Sequence, residues 1–330
     1  MLGWGIVGPG RIADSAMAPA INTLKDGRLV AVTSRDRGRA EAFAKKHGAA
    51  RAYTDYGEML RDREVDVVLI TTPNALHAEQ AIAAARAGKH ILCDKPLAMS
   101  AADAERAVQE CRKAGVRLGI NFQTRHQACF AETKRLIDAG EIGEVLVVQV
   151  EVSSGANPPS GWRTDLAMAG LGSVNNIAVH AYDLLRYLLS SEVAEVTAMF
   201  DVGRSRALER LAMTLFRFQN GTMAYVNGNQ KTPNFQADID IYGTKGRIVG
   251  DNLTRPFLEG ALHVLTDKGE TVTPYSNKDA YLRTVADFND AVLHERDPGA
   301  SGLDGLRNVQ LTDAIARSAR EGVLVELRYR

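Results

Sequence analysis

The chain has 330 residues, 40 basic and 40 acidic side chains, a formal net charge of zero and three cysteines. At about 150 residues per domain the length suggests two domains, and 45% hydrophobic with 24% charged residues is an ordinary globular composition. The charge balance argues against nucleic acid or an anionic membrane as a partner, and Cys93, Cys111 and Cys129 are too few for a disulfide framework and read as reduced thiols.

The opening residues show neither a basic leader with a cleavage site nor a long apolar span, so a cytoplasmic location is expected. Residues 4–7 form a short apolar run that ends in Gly8-Pro9-Gly10, after which Ile12, Ala13, Ala16, Met17 and Ala20 recur at helical spacing. Residues 29–33 are a second, β-branched run, followed by a polar helix over 36–47. A third strand at 65–71 closes in Thr72-Pro73-Asn74, and an alanine-rich helix over 76–87 ends at Gly88. Residues 90–93 give a fourth strand, stopped by Pro96. A helix over 100–113 follows, with Ser100 as N-cap and Asp103 at the third position. Gly115 ends it, and residues 116–121 give one more strand. Strands that alternate with helices, and that are apolar throughout, predict a parallel sheet covered on both faces. Residues 1–121 therefore read as a doubly wound α/β domain of the Rossmann type.

Residues 122–330 have a different rhythm. A strand at 145–154 becomes alternating after Val148, and further strands are expected at 195–202, 212–218, 222–229 and 237–242. Asn220-Gly221 makes a hairpin turn, and Gly243-Thr244-Lys245-Gly246 another before a strand at 247–249. Two late helices, 280–293 and 302–319, complete the chain and are free to pack back on the first domain. The expectation is an α+β domain for substrate binding and oligomerisation, with one large, mostly antiparallel open sheet. An open apolar sheet face is a poor solvent surface, so a homodimer or homotetramer through it is expected. Segment 155–172, rich in Gly, Pro and Ser, reads as a functional loop.

The first turn carries the sharpest local signal. Gly8-Pro9-Gly10-Arg11-Ile12-Ala13 fits G-x-G-x-x-A between a strand and a helix. The first glycine permits the turn, the second lets backbone approach a pyrophosphate at the helix N-terminus, and the small third residue lets helix and strand pack closely. At the end of the second strand a carboxylate would accept from a ribose 2′-hydroxyl and repel a 2′-phosphate. Ser34 and Arg35 stand there, with Arg37 and Arg39 beyond, which suits NADP better than NAD. The plainer alternative is a solvated helix start, and Asp36 lies close by. Lys95 follows the fourth strand, at the edge where open α/β sheets bind ligands, and is either a proton donor to a carbonyl or an exposed lysine before a proline. His180 lies on an expected helix over 176–189, four residues after Asn176. The histidines show no metal-ligand spacing, and no metal site is expected.

Taken together these segments resemble the Gfo/Idh/MocA oxidoreductases, the glucose–fructose oxidoreductase and inositol dehydrogenase group. The resemblance runs from the glycine motif through Thr72-Pro73-Asn74, His77 and Ala87-Gly88-Lys89-His90 to Asp94-Lys95-Pro96. It continues in Gly161-Trp162-Arg163, in 170–180 with Asp183, and in Gly243-Thr244-Lys245-Gly246. Asp94-Lys95-Pro96 and Trp162-Arg163 look especially like NADPH-dependent reductases of the 1,5-anhydro-fructose reductase type. The resemblance implies that Lys95 contacts the reacting oxygen beside the nicotinamide and that His180 acts as acid or base or orients the substrate hydroxyl. It implies that Asn74, His77 and Lys95 hold the nicotinamide side and that Trp162 and Arg163 reach the cofactor, so that the expected cofactor contacts are Gly8, Gly10, Arg11, Ile12, Ser34, Arg35, Arg39, Thr72, Pro73, Asn74, His77, Asp94, Lys95, Asn121, Trp162 and Arg163. It also implies that Asn121, Arg125, Asn176 and Asp183 line the substrate position.

Two departures stand out. Asp94 replaces the usual glutamate and keeps its charge, whereas Asn176 stands where an aspartate is common. An amide can orient a hydroxyl but cannot take a proton or favour a charged lysine or imidazole. The expected function is an NADP-dependent oxidoreductase for a polyhydroxylated small molecule such as a sugar, deoxysugar or cyclitol. Its alternatives are a dinucleotide-binding sensor without catalysis, which Asn176 suggests, and an NAD-assisted glycoside hydrolase of the same fold.

Overall fold

A computed structural model describes every residue except 157, 234, 235 and 330. The chain forms two compact units, residues 1–122 with 281–309 and residues 123–280 with 310–330. The first contains a six-stranded sheet of β1 (Leu2–Val7), β2 (Gly27–Thr33), β3 (Arg51–Tyr53), β4 (Val67–Ile70), β5 (His90–Cys93) and β6 (Leu118–Ile120). All pairs are parallel, in the order β3-β2-β1-β4-β5-β6. Successive strands leave β1 in opposite directions, so the order reverses between β1 and β4. Loops at the carboxyl ends of those two strands flank the switch point where such sheets bind ligands.

Every residue of β1 and β4 is buried, the physical reason both strands read as unbroken apolar runs. β3 and the helix Tyr56–Arg61 are additions to the expected elements. With three and six residues they are too short for a periodic pattern to show. Ser100 caps its helix from both sides: its Oγ accepts from the Asp103 N–H at 3.2 Å and donates to Asp103 Oδ2 at 2.8 Å. The expected first helix opens as a π-turn, Ala13–Met17, before continuing as Ala18–Thr23. At the far end of β1 the Trp4 ring meets Phe288 edge-on at 5.7 Å, and the indole N–H donates to Asn289 Oδ1 at 3.2 Å.

The second unit is built on β7 (Val145–Ser153), β8 (Val193–Phe200), β9 (Leu211–Phe218), β10 (Met223–Asn229), β11 (Ile239–Gly243), β12 (Gly246–Asp251), β13 (Glu259–Thr266), β14 (Gly269–Ser276) and β15 (Val325–Glu326). The order is β14-β13-β12-β11-β7-β10-β9-β8-β15, antiparallel throughout except for the parallel pair β7–β10. β13 and β14 were not expected. β14 is almost wholly exposed and so has no buried face to produce alternation. Segment 155–172 contains two short helical turns, Gly161–Thr164 and Leu166–Ala169, and a helix, Ala128–Asp138, precedes β7.

One face of this sheet packs Val148, Val150, Phe216 and Ile239 with Leu184, Leu185 and Leu188 from the helix Val179–Leu189. On the other face Met199, Met213, Leu215 and Met223 are exposed, with Met199 opposite Met213 and Leu215 opposite Tyr225. Truncating Phe288, a fully buried ring of the first unit, leaves a cavity beside Trp4. Phe288→Ala is expected to cost about 3–5 kcal/mol in urea denaturation. A loss below about 1 kcal/mol would show that the ring is not part of the core.

Candidate active site

Gly8 turns with φ +85°, and a Cβ there would lie 2.7 Å from Thr72 Cγ2 and 2.9 Å from the Thr72 nitrogen. The carboxyl ends of β1 and β4 therefore touch through a glycine. Thr71 Oγ1 closes the contact by donating to the Gly8 carbonyl at 2.8 Å. Gly10 is exposed, and a Cβ on it would meet only the Gly8 oxygen at 3.8 Å. The space in front of the helix start is thus open to an approaching group, while Ala13 behind it is fully buried against the sheet. Such a turn has room for a dinucleotide pyrophosphate at the helix N-terminus.

At the end of β2 the carboxylate of Asp36 is turned to the helix Arg37–His47, where its Oδ1 accepts from the Arg39 N–H at 2.7 Å. Ser34 Oγ in turn accepts from the Asp36 N–H at 3.3 Å. Arg37 pairs with Glu41 at 3.6 Å, whereas Arg35 and Arg39 are exposed and have no ion-pair partner among the described residues. Asp36 thus serves as the N-cap of this helix.

The ends of β4, β5 and β6 are tied together by side chains. His77 is 1% exposed, with Nδ1 2.7 Å from the Pro96 carbonyl and Nε2 2.8 Å from the Thr72 carbonyl. Thr72 Oγ1 donates to Gln80 Oε1 at 2.6 Å. The Asn121 N–H donates to the Cys93 carbonyl at 2.8 Å, and its Nδ2 to Asp94 Oδ1 at 3.2 Å. Buried as they are, His77 and Asn121 act as framework: they hold the turns that present Thr72, Pro73, Asp94 and Lys95. Asn74, itself buried, starts a short turn, Asn74–Leu76, that runs out to an exposed Leu76, while Asp94 and Lys95 are half-buried.

In the second unit the run from Ser173 to Arg186 is buried at every position but Asn176 and His180. These two share a face, although the helix starts two residues before the expected Asn176. It begins as a π-turn, Val174–Ala178, that widens the backbone beneath them. Arg163 donates from Nε to Asn176 Oδ1 at 3.4 Å, and its guanidinium stacks over the Trp162 ring at 4.3 Å. Arg125 and Asp183 form a buried two-bond pair, Nε to Oδ2 at 2.8 Å and Nη2 to Oδ1. Asp183 has no exposed surface, and Arg186 lies 3.9 Å from it while binding Glu192 through two bonds of 2.6 Å. The charges of Arg125 and Asp183 are turned on each other, which ties residues 58 positions apart.

Two family descriptions match the chain: "Oxidoreductase family, NAD-binding Rossmann fold" over residues 2–122, and "GFO/IDH/MocA C-terminal domain" over residues 130–249. It is 32% identical over 327 residues to the 1,5-anhydro-D-fructose reductase of Ensifer adhaerens, covering 98% of each chain. The chain belongs to the Gfo/Idh/MocA family. It is 29% identical over 337 residues to a myo-inositol 2-dehydrogenase of Thermotoga maritima, again over 98% of each. The crystal structure of an aldose-aldose oxidoreductase from Caulobacter crescentus, complexed with glycerol, superposes with a TM-score of 0.90 over 99% of each chain at 29% identity. As a Gfo/Idh/MocA member the protein is an NAD(P)-dependent oxidoreductase acting on CH–OH and C=O groups.

The remaining chemistry is quiet. Burial pushes the Cys93 thiol well up and those of Cys111 and Cys129 to about 12, so none offers a thiolate. Among the described residues no three His, Cys, Asp or Glu side chains are placed to hold a metal, and no helix is long and apolar enough to cross a membrane. Sequence reasoning missed Glu209, which is 1% exposed and accepts the Val174 N–H on Oε1 at 2.9 Å. Nothing local in Leu208-Glu209-Arg210 marks it, because its partners lie 35 positions away. Asp183→Asn leaves a buried guanidinium without its counter-charge and is expected to destabilise by about 3–5 kcal/mol in chemical denaturation. A change below about 1 kcal/mol would mean that Arg125 finds water or another acceptor.

Proposed function

We propose that the protein is an NADP-dependent oxidoreductase of sugars, deoxysugars or cyclitols, in which Lys95 and His180 move the proton. The observation that carries this reading is the pair Asn176 and His180, the two positions not fully buried in an otherwise sealed run. An imidazole and an amide come forward together there. Reduction of a carbonyl requires one proton donor for the oxygen that becomes a hydroxyl, and a lysine ammonium or an imidazolium supplies it. The amide orients that oxygen without competing for the proton. In the opposite direction the same groups take the hydroxyl proton. The relatives named for anhydrofructose and inositol support a polyhydroxylated ring as substrate.

The cofactor, when bound, supplies or accepts the hydride at its nicotinamide carbon. The turn at Gly8, Gly10, Arg11 and Ile12 holds its pyrophosphate. Ser34, Arg35 and Arg39 hold the 2′-phosphate, and Thr72, Pro73, Asn74, Asp94 and Lys95 serve the nicotinamide side. Trp162 and Arg163 are further cofactor contacts in this reading. Arg35 and Arg39 favour NADP because two exposed guanidinium groups without acidic partners stand beside a serine hydroxyl and a helix N-terminus.

Titrating NADPH and NADH by nicotinamide fluorescence tests the cofactor. NADPH binds tighter, and Arg35→Ala weakens it by about 10- to 100-fold, the loss of a charge-assisted bond, while NADH is unmoved. Equal or tighter NADH binding in the wild type sinks this part. With 1,5-anhydro-D-fructose and NADPH, or myo-inositol and NADP, His180→Ala and Lys95→Met lower turnover by about 10²- to 10⁴-fold with NADPH binding retained. Full turnover in either variant removes that residue from proton transfer, and a wild type inert towards both compounds favours a binding-only role.

We further infer that two copies associate through the open sheet face at Met199, Met213, Leu215 and Met223. Light scattering of the wild type should give a dimer or tetramer mass, and Met213→Glu a monomer. A monomeric wild type contradicts it.

A further inference from the structure

The carboxylate of Glu209 stands apart from the other acids of the second unit. It is 1% exposed, Oε2 is sealed without a hydrogen-bond partner, and no ion pair reaches it among the described residues. Isolated carboxylates of this kind are costly to bury, and burial holds this one above the usual carboxylate range. The groups that offset the cost are peptide N–H donors. Val174 donates to Oε1 at 2.9 Å, the N–H groups of Gly172 and Glu209 also face the carboxylate, and Ser173 donates to the Glu209 carbonyl at 2.8 Å. Main chain and side chain of Glu209 thus grip one point, the entry to the π-turn Val174–Ala178.

The grip leaves no slack. A Cβ on Gly172 would lie 1.8 Å from the Glu209 carbonyl oxygen, so Gly172 in Gly170-Leu171-Gly172 is required by this contact. On the opposite side the turn rests on β10, where a Cβ on Gly228 would lie 2.7 Å from the Ala178 Cβ. Held at Val174 and pressed at Ala178, the π-turn presents Asn176 between those points and His180 just after them. A π-turn is a strained, irregular piece of helix that relaxes to regular α-helix unless its surroundings fix it. Relaxation would rotate Asn176 relative to His180 by tens of degrees, since the two helix types differ in residues per turn.

We propose that Glu209 is a positioning residue: its carboxylate locks the π-turn and thereby sets the mutual orientation of Asn176 and His180. It touches neither cofactor nor substrate. The consequence for turnover rests on the function proposed above, whereas the consequence for the turn itself does not.

The test compares Glu209→Gln, which keeps an acceptor for Val174, with Glu209→Asp, which is one methylene too short, and Glu209→Ala. Two readouts are taken well below each variant's melting temperature: amide hydrogen exchange over residues 172–186, and kcat and KM with 1,5-anhydro-D-fructose and NADPH. In the Ala and Asp variants exchange at residues 173–178 rises at least about tenfold, and kcat falls about a hundredfold with KM and NADPH affinity little changed. The Gln variant recovers most of both losses. A purely structural cap would lower the melting temperature of Ala and Asp but leave the kcat of folded protein alone, and that result overturns the proposal. Unchanged exchange in Glu209→Ala, or no rescue by Gln, overturns it as well. If the wild type does not turn over this substrate, the functional reading fails, and the exchange data alone decide the role of Glu209.

Discussion

At the glycine turn after β1 and at the entry to the π-turn Val174–Ala178, the main chain comes too close to a neighbouring segment to leave room for a Cβ. Gly8 lies against Thr72 and Gly172 against Glu209. Each contact joins segments far apart in sequence, and each places a helix start. The first sets the helix whose N-terminus faces open space beside Gly10, and the second sets the π-turn under Asn176 and His180. Most of what the two units offer to a ligand follows from these two approaches. Packing supplies the rigidity around them, as Ala13 and Ala178 are fully buried behind their turns.

The two units solve the problem of charge differently. In the first, acids near the site accept ordinary local hydrogen bonds, Asp36 as a helix cap and Asp94 from Asn121. In the second, buried charges are paired with each other: Arg125 binds Asp183, and Arg186 binds Glu192. Asn176 then presents an amide beside His180, with Arg163 bonded to its oxygen. At these two half-buried positions the helix offers an amide and an imidazole rather than a carboxylate.

How much of this was legible depended on how local each signal is. The glycine turn, the strand at His90–Cys93 and the Ser100 cap each sit within a few residues, and a pattern search finds them. β3 is too short and β14 too exposed for hydrophobic periodicity, so neither left a trace. The same distinction runs through the site. His180 and Lys95 were read from motifs, but the roles of Asp183 and His77 turn on partners: Arg125 is 58 positions away from the first, and Pro96 is 19 from the second. A side chain looks identical in sequence whether it faces a ligand or another residue. The π-turn is invisible for a related reason, because apolar spacing over 174–189 suits an α-helix as well.

The parallel pair β7–β10 carries a kinetic meaning. Antiparallel neighbours can zip from a hairpin, as β9 and β10 do across Asn220-Gly221, but two parallel strands must wait for the chain between them to cross over. That chain contains the helix with Asn176 and His180. The centre of the sheet therefore pays its loop-closure entropy late, through contacts 76 residues apart such as Val150 with Val226. Until then the buried side of β10, Gly228 included, has no helix to rest against it. The helical segment 174–189 lies inside that crossover, so pairing of β7 with β10 closes the loop that contains it.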